Sequence, residues 1–317
     1  MNKHWVSLDG LRGVLALGVV LLHFDVNILT RRLFGMPALW MDLAVDVFFL
    51  LSGFVLTHSV RNGTSFPIFA AKRLLRLLPV YYVTTLATML VVPRLPGDLW
   101  AELFVAGPFL SRNPVNFPAW SICFELYLPL LAVLLPVRIP ARLVRPALVV
   151  ALLACGACMM AFEEGRSMYA PRAVCGLIAG HLLYRARLEC RIPFDWAALG
   201  VIGLILAASF APPITFLIPF AASAAILAGT HGEGRLFASK PVQWLGSISY
   251  TLYLVHVPVL YALGKWIEPA VSESPVVSLA GIAASLALAT LLTKLVERPA
   301  MVLSARLFPR RAVSRGV

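Results

Sequence analysis

The sequence predicts an all-α, polytopic membrane protein with about ten transmembrane helices and both termini on the cytoplasmic side. Of the 317 residues, 60% are hydrophobic and 13% are charged, and the mean hydropathy is +0.86. Soluble domains do not have this composition. The apolar residues form repeated runs about as long as a membrane-spanning helix. The basic residues lie in short clusters between these runs, as in membrane proteins.

Ten apolar runs can be drawn as spans, and several contain Pro or Gly, which neighbouring helices tolerate in a membrane. The segment Phe66 to Leu78 carries three basic residues and is predicted to be an interfacial helix that leads into the third span. The stretch Pro93 to Pro118 is long and aromatic, and it either dips into the membrane or covers a cavity. The predicted spans are 11–29, 41–60, 77–93, 119–137, 143–161, 168–185, 196–211, 213–230, 243–264 and 276–297.

The distribution of charge in the loops predicts the orientation. If the N-terminus is cytoplasmic and the spans alternate, 20 of the 27 Lys and Arg residues fall on the cytoplasmic side. This bias is the positive-inside pattern, and an even number of spans places the C-terminus on the same side. The seven basic residues on the outer side are Arg31, Arg32, Arg94, Arg112, Arg166, Arg172 and Lys265.

Residues 1–300 are predicted to form one transmembrane domain, followed by a basic tail at 301–317 that contacts anionic lipid, with no extra soluble domain. Arg12 interrupts the first apolar run and no small-residue cleavage site follows, so this run is predicted to be a retained helix rather than a signal peptide. The net charge of +12 comes from inter-span clusters, which excludes nucleic acid as a partner. The cysteine spacing predicts neither a disulfide framework nor a metal site.

The first span carries the main candidates for chemistry, Arg12 and His23. They are 11 positions apart, which places them on nearly one face of a helix with a rise of about 16 Å between them. Ionisable residues inside a span are costly and indicate a functional site. A neutral imidazole can take a proton from a sugar hydroxyl and return it to a leaving group. A structural hydrogen bond to a neighbouring helix is the alternative for His23.

Further polar residues lie in or beside other spans. Glu125, with Ser121 one turn earlier, could orient His23, bind the acceptor or pair with an arginine. Arg73 and Arg76 share a helix face and could hold the phosphates of a nucleotide-like donor, although such clusters are often only membrane anchors.

Asp46 and Ser52 lie in the second span, where helix packing is the alternative explanation. Ser249, Tyr253 and His256 share one face of the ninth span, and this pattern favours a structural hydrogen-bond network over direct catalysis.

Seven motifs in order along the chain together resemble the membrane-bound acyltransferase family 3, which comprises O-acyltransferases of sugars and other glycans. Each motif alone is weak evidence for the family. The resemblance is specific because the motifs occur in this order along a chain with ten predicted spans. The motifs are LDGLRG at 8–13, LLHF at 21–24, VDVFFLLSGF at 45–54, RLLRLLPVYY at 73–82, WSICFELY at 120–127, GSISYTLYLVH at 246–256 and VERPA at 296–300.

The resemblance implies an acyl-CoA donor that binds from the cytoplasm and a glycan or glycoside hydroxyl that receives the acyl group, often at the outer face. It implies that Arg12 and His23 are the essential pair of the first span. It also implies that Arg73 and Arg76 handle acyl-CoA, and that Trp120, Ser121 and Glu125 form the family's Trp-Ser…Glu motif. Some relatives carry an additional esterase-like domain, which this chain is not expected to have.

These observations and the resemblance predict a multi-pass O-acyltransferase of the plasma membrane, and the resemblance implies that this is the bacterial inner membrane. Acetyl-CoA is the default donor, and no permanently bound cofactor is expected. In this interpretation His23 is the base, Glu125 orients it, and Arg12, Arg73 and Arg76 bind the donor. The acyl group moves either directly or through an acyl-imidazole. The alternative is a proton-coupled transporter or flippase that uses the same residues as a relay.

Overall fold

The computed structural model describes residues 5–24, 40–60, 65–92, 99–110, 113–134, 139–163, 168–264 and 274–309, and these ranges contain helices and no strands. Short 3₁₀ helices precede several of the α-helices, and a π-helix, Thr293–Glu297, connects the last two. The α-helices are α1 (Val6–His23), α2 (Ala44–Val60), α3 (Phe66–Val91), α4 (Leu99–Leu103), α5 (Trp120–Leu134), α6 (Ala141–Glu163), α7 (Tyr169–Ala186), α8 (Phe194–Ala208), α9 (Ile218–His231), α10 (Lys240–Ala262), α11 (Pro275–Leu292) and α12 (Arg298–Leu307).

Each of the ten predicted spans overlaps a helix, and seven helical segments in the described ranges are long and apolar enough to cross a membrane. Two further apolar helices, Phe117–Val133 and Phe194–Ala208, are shorter. Helix α7 contains arginines and a histidine that lower its hydropathy. The total of ten and the side on which each terminus lies therefore stay predictions. The seven segments are Val6–His23, Met41–Val60, Phe66–Val91, Ala141–Ala161, Pro212–His231, Lys240–Ala262 and Pro275–Leu307.

The structure adds detail to three sequence-based expectations. The segment Phe66 to Leu78 is continuous with the third predicted span, because α3 runs without a break from Phe66 through Pro79 to Val91. Arg172, which was assigned to the outer side, lies within α7 and is 2% exposed. The first residues of the predicted tail at 301–317 belong to α12, which continues to Leu307. The interfacial position of the segment, the side on which Arg172 lies and the role of the tail stay predictions.

Helices α1 and α10 run parallel and in close contact. Gly13 faces Gly246 and His23 faces His256, so both helices advance ten residues between the two contacts. A Cβ atom on Gly13 would lie 2.3 Å from the Gly246 nitrogen, and a Cβ on Gly246 would lie 2.5 Å from the Asp9 carbonyl oxygen. Small residues at such crossings let two helix backbones approach each other.

The stretch between α3 and α5 folds back along α3. The Tyr81 hydroxyl donates to the main-chain and side-chain oxygens of Glu102, each at 3.0 Å, and the Tyr82 hydroxyl donates to the Leu103 carbonyl at 2.6 Å. Tyr81 lies ten residues before the end of α3, about 15 Å along its axis. The described residues 99–110 therefore lie beside α3, and both predicted alternatives, a dip into the membrane and a cover over a cavity, stay predictions. Trp100 and Phe104 are 69% and 57% exposed on it.

The contact between α1 and α10 provides the first testable prediction. Gly13→Ala should force the two helices apart, because the added methyl would overlap the backbone of α10. We expect a loss of about 1–3 kcal/mol in the free energy of unfolding, typical of overpacking, and a lower thermal midpoint of the purified protein in detergent.

Gly200→Ala is the matched control, because a Cβ at Gly200 would meet nothing within 4 Å. This variant should unfold at the wild-type midpoint or slightly above it, since alanine favours the helical state. An equal loss in both variants would show that the crossing at Gly13 is not the cause.

Candidate active site

Two histidines from distant parts of the chain meet where α1 ends. The Nε2 atom of His256 lies 3.1 Å from Nδ1 of His23, and the two rings stack with centroids 5.0 Å apart. The Phe117 ring packs edge-on against His23 at 5.0 Å. His256 is fully buried, whereas His23 is half-buried. His23 is therefore the member of the pair that a substrate can reach.

The partner of His23 differs from the one that the sequence suggests. The contacts described for Glu125 are to Ser52 and Arg73, and those for His23 are to His256, Phe117 and Val19. The prediction that Glu125 orients His23 is therefore not supported by this geometry. His256, which the sequence placed in a structural network, is the residue in direct contact with it.

A proline inside α10 places a second group beside the histidine pair. Pro258 has no N–H, so the Leu254 carbonyl loses its helical partner. The Asn116 side chain replaces it, with Nδ2 donating to Leu254 O at 2.9 Å. Asn116 is fully buried, and it precedes Phe117, which contacts His23. This bond fixes the stretch before α5 against the histidines.

The predicted polar face of α10 is present, and its members contact different elements. The Tyr253 hydroxyl donates to the Pro118 carbonyl at 3.0 Å and lies 3.2 Å from the Ser121 hydroxyl. The Tyr253 ring centroid is 6.2 Å from that of His256. Ser121 and Tyr253, both named as candidates, therefore join the start of α5 to the histidine pair.

Arg12 lies on the side of α1 that faces α10, as His23 does. Its Nε donates to the Ser249 hydroxyl at 3.3 Å, and its Nη2 forms a 2.7 Å ion pair with Asp9, three residues earlier. The side chain is about one third exposed. The shared face predicted from the 11-residue spacing is thus the face that packs on α10.

A third polar group surrounds Arg73, which is buried between helices. Pro129 removes the helical partner of the Glu125 carbonyl, and the Arg73 guanidinium donates to this oxygen through Nε at 2.6 Å and also through Nη2. The Glu125 carboxylate accepts from the Ser52 hydroxyl at 3.0 Å and lies 3.9 Å from Arg73 Nη2. Of the alternatives for Glu125, pairing with an arginine describes its geometry.

Arg76 is the more accessible member of the predicted phosphate-binding pair. The contact described for its guanidinium is to the Met301 sulfur of α12, at 3.1 Å. A thioether is a weak acceptor, so this contact does not compete with a phosphate. Arg73, by contrast, already serves the Glu125 carbonyl, and its role includes holding α3 against α5.

Asp46 forms a buried, two-pronged ion pair with Arg172. The Nε and Nη2 atoms of Arg172 donate to both carboxylate oxygens at 2.5 to 3.2 Å. The guanidinium also lies over the Trp120 ring, 5.9 Å from its centroid. The pair joins α2 to α7, where a Cβ on Gly53 would lie 2.2 Å from the Leu177 carbonyl oxygen. Asp46 and Trp120 therefore hold helices together in this structure.

Sequence reasoning missed the environment of Glu297, although VERPA was part of the resemblance. Glu297 ends the π-helix and is 6% exposed. Its carboxylate accepts from the Thr251 hydroxyl at 2.7 Å and lies 3.5 Å from that of Thr293. π-Helices occur mostly at functional sites. A carboxylate near the end of the last apolar run is the signal that could have found it.

The polar groups form two centres beside α1. The arginine centre comprises Arg12 of α1, Arg76 of α3, which is close enough to interact with it electrostatically, and Arg73 one turn earlier in α3. The other centre is the histidine pair, and the rise from residue 12 to residue 23 is about 16 Å. The first centre can bind an anion and the second can transfer a proton. In the part of the chain that the structure describes, no three His, Cys, Asp or Glu side chains are placed to hold a metal ion.

Comparison with known families assigns the chain to one of them. A family model described as an acyltransferase domain matches residues 5–294. The chain belongs to the acyltransferase 3 family. The match includes both polar centres and every candidate residue predicted from the sequence, and Glu297 lies three residues beyond its end. No solved structure matches the chain.

Three relatives show how far the similarity extends. Protein 2 in the picA locus of Rhizobium radiobacter is 37% identical over 155 residues, 39% of this chain and 78% of that protein. The acyltransferase MdmB of Streptomyces mycarofaciens is 32% identical over 138 residues, 38% of this chain and 36% of MdmB. The peptidoglycan O-acetyltransferase OatA of Listeria monocytogenes is 22% identical over 334 aligned positions, 82% of this chain and 50% of OatA.

The Arg73–Glu125 contact can be tested with a pair of substitutions. Arg73→Met leaves a buried carbonyl without a donor, which costs about 1–3 kcal/mol, and it also removes the cation beside the Glu125 carboxylate. Pro129→Ala restores a backbone N–H for that carbonyl. We expect R73M to lower the thermal midpoint of the purified protein in detergent, and P129A to recover part of the loss in the double variant.

Lys72→Met is the control, because Lys72 is a half-buried neighbour on the same helix and its removal should leave the midpoint near the wild-type value. If P129A recovers nothing in the R73M background, the carbonyl freed by Pro129 is not what Arg73 stabilises.

Proposed function

We propose that this member of the acyltransferase 3 family is an O-acyltransferase of the bacterial inner membrane. It moves an acyl group, acetyl by default, from acyl-CoA to a hydroxyl of a glycan or glycoside. The observation that supports this most is that α1 carries both Arg12 and the histidine base His23, while α3 carries Arg73 and Arg76. Acyl-CoA is a substrate here, and no permanently bound cofactor is part of the proposal.

The donor binds by its phosphates at the arginine centre. Arg76 is placed to meet them, because its described contact is to a thioether, and Arg12 is one third exposed. Guanidinium groups bind phosphate oxygens through two parallel hydrogen bonds. The pantetheine arm then runs along α1 towards His23 and spans a distance of the order of the helical rise between the two centres.

The chemistry takes place at His23. The imidazole accepts the proton of the acceptor hydroxyl as the oxygen attacks the thioester carbonyl carbon. A C–O bond forms, the C–S bond breaks, and the imidazolium returns the proton to the CoA sulfur. The products are the ester and free CoA thiol. In the covalent alternative, His23 itself takes the acyl group first, which would give ping-pong kinetics.

The class of acceptor is proposed from the relatives. OatA is named as a peptidoglycan O-acetyltransferase and MdmB as an acyltransferase. A glycan or glycoside hydroxyl is the acceptor that agrees with both names and with a base within a membrane domain. The transporter alternative uses the same charged residues, but membership of an acyltransferase family favours the enzyme.

The function is tested by acyl transfer in membranes. Radiolabelled acetyl-CoA would be supplied to membranes that contain wild type, His23→Ala or His231→Ala, and the label followed into glycan, protein and free thiol. We expect label in glycan and thiol release with wild type, and a loss of about 10²- to 10⁴-fold for H23A, the usual contribution of a general base.

His231→Ala is the matched control, because His231 lies at the end of α9 and bonds to its own helix at the Leu227 carbonyl. It should keep wild-type activity. Full activity in H23A would contradict the mechanism. Label trapped on wild-type protein but not on H23A would favour the covalent route.

Arg76 is tested separately through donor binding. Arg76→Met removes a charge that we place on the phosphates, so KM for acyl-CoA should rise about tenfold or more, since hydrogen bonds to charged groups contribute about 1.5–3 kcal/mol. Arg306→Met, at the exposed end of α12, is the control and should leave KM unchanged. An unchanged KM in R76M would remove Arg76 from the donor site.

A further inference from the structure

The hydrogen bonds of the two histidines fix where their protons lie. The Nδ1 atom of His256 is 3.3 Å from the Leu252 carbonyl oxygen, which can only accept a hydrogen bond. The Nδ1 atom therefore carries the proton. In a neutral imidazole the other nitrogen is then an acceptor. The Nε2 atom of His256, 3.1 Å from His23 Nδ1, must accept, and His23 Nδ1 must donate.

We propose that His256 is a positioning residue that holds His23 in the tautomer with its proton on Nδ1, so that Nε2 is the basic nitrogen presented to the acceptor hydroxyl. This inference rests on the proposed function and assigns a task to a residue that the sequence placed in a structural network. His256 acts through His23 and does not itself exchange a proton with the substrate.

The surroundings of His256 hold its ring in place, so that Nε2 stays in position to accept the hydrogen bond from His23. The residue is fully buried, and its own Nδ1 proton is held by the helix to which it belongs. The Leu254 carbonyl, two residues before His256, lacks a helical partner because of Pro258, and it accepts from Asn116 instead. This bond fixes the part of α10 next to His256. The stacking of the two rings at 5.0 Å further limits rotation of His23.

The bonds formed and broken are those of the proposed function, and the atom that takes the proton is now defined as Nε2 of His23. The proton of the acceptor hydroxyl moves to Nε2 of His23 while the oxygen forms the ester bond and the C–S bond of the thioester breaks. The same Nε2 proton then goes to the CoA sulfur. Throughout, the Nδ1 proton stays between His23 and His256, so no proton leaves the pair by that side.

The test compares two substitutions at His256. In His256→Gln the side-chain oxygen can still accept from His23 Nδ1, whereas His256→Leu removes the acceptor and keeps an apolar side chain. We expect H256L to lower kcat by about 10²- to 10⁴-fold, which is the range seen when a general base is lost or held in the wrong tautomer. The kcat of H256Q should stay within about tenfold of the wild-type value.

The Michaelis constant separates this role from a structural one. KM for acyl-CoA should stay near the wild-type value in both variants, because the donor phosphates bind at the arginine centre. Retained acyl-CoA binding by H256L also shows that the variant is folded. His231→Leu is the matched control and should leave kcat and KM unchanged. Equal losses in H256Q and H256L, or near-normal kcat in H256L, would overturn the proposal.

A readout that needs no activity distinguishes failure of this proposal from failure of the proposed function. The ¹⁵N resonances of labelled wild-type protein in lipid bilayers, assigned by comparison with H23A, report which ring nitrogen of His23 carries the proton. We expect it on Nδ1 in wild type and H256Q, and a mixture of tautomers in H256L. A proton on Nε2 in wild type would overturn the proposal, whereas the expected tautomer in a protein that transfers no acyl group would overturn only the function.

Discussion

The close parallel packing of α1 and α10 is the constraint on which the candidate site depends. Two glycines, Gly13 and Gly246, bring the backbones together near the start of both helices. Because the helices are parallel, the residues ten positions later also meet, and these are His23 and His256. The same contact places Ser249 beside Arg12. One crossing therefore sets the relative positions of the donor centre and the base.

Prolines inside helices provide a second constraint, and one lies near each of the two centres. Each proline frees one main-chain carbonyl, which must find another donor in an apolar environment. The donor is Arg73 for the carbonyl of Glu125 and Asn116 for that of Leu254. Both donors come from other elements, so a local defect in one helix becomes a specific link to a neighbour. Arg73 and Asn116 can therefore be buried, because each donates to a main-chain carbonyl that has no helical partner.

The sequence predicts features that depend on neighbours along one helix. Hydropathy located a helix at each of ten predicted spans, and helical spacing placed Arg12 with His23 and Tyr253 with His256. It could not assign partners across the fold, because His23 and His256 are 233 positions apart and Arg73 and Glu125 are 52 apart. Glu125 was paired with His23 since a base is often oriented by a carboxylate. The partner of Arg172 could not be assigned for the same reason, because Asp46 is 126 positions away from it in the sequence.

The location of Glu125 also bears on how His23 is oriented. A carboxylate orients the base and stabilises its imidazolium in serine hydrolases, but the described contacts of the Glu125 carboxylate are to Arg73 and Ser52. The described hydrogen bond at His23 Nδ1 is to the imidazole of His256. A neutral acceptor can fix the tautomer of a base as a carboxylate does. Direct transfer and the acyl-imidazole route therefore start from the same base, held by the packing of α1 against α10 rather than by Glu125.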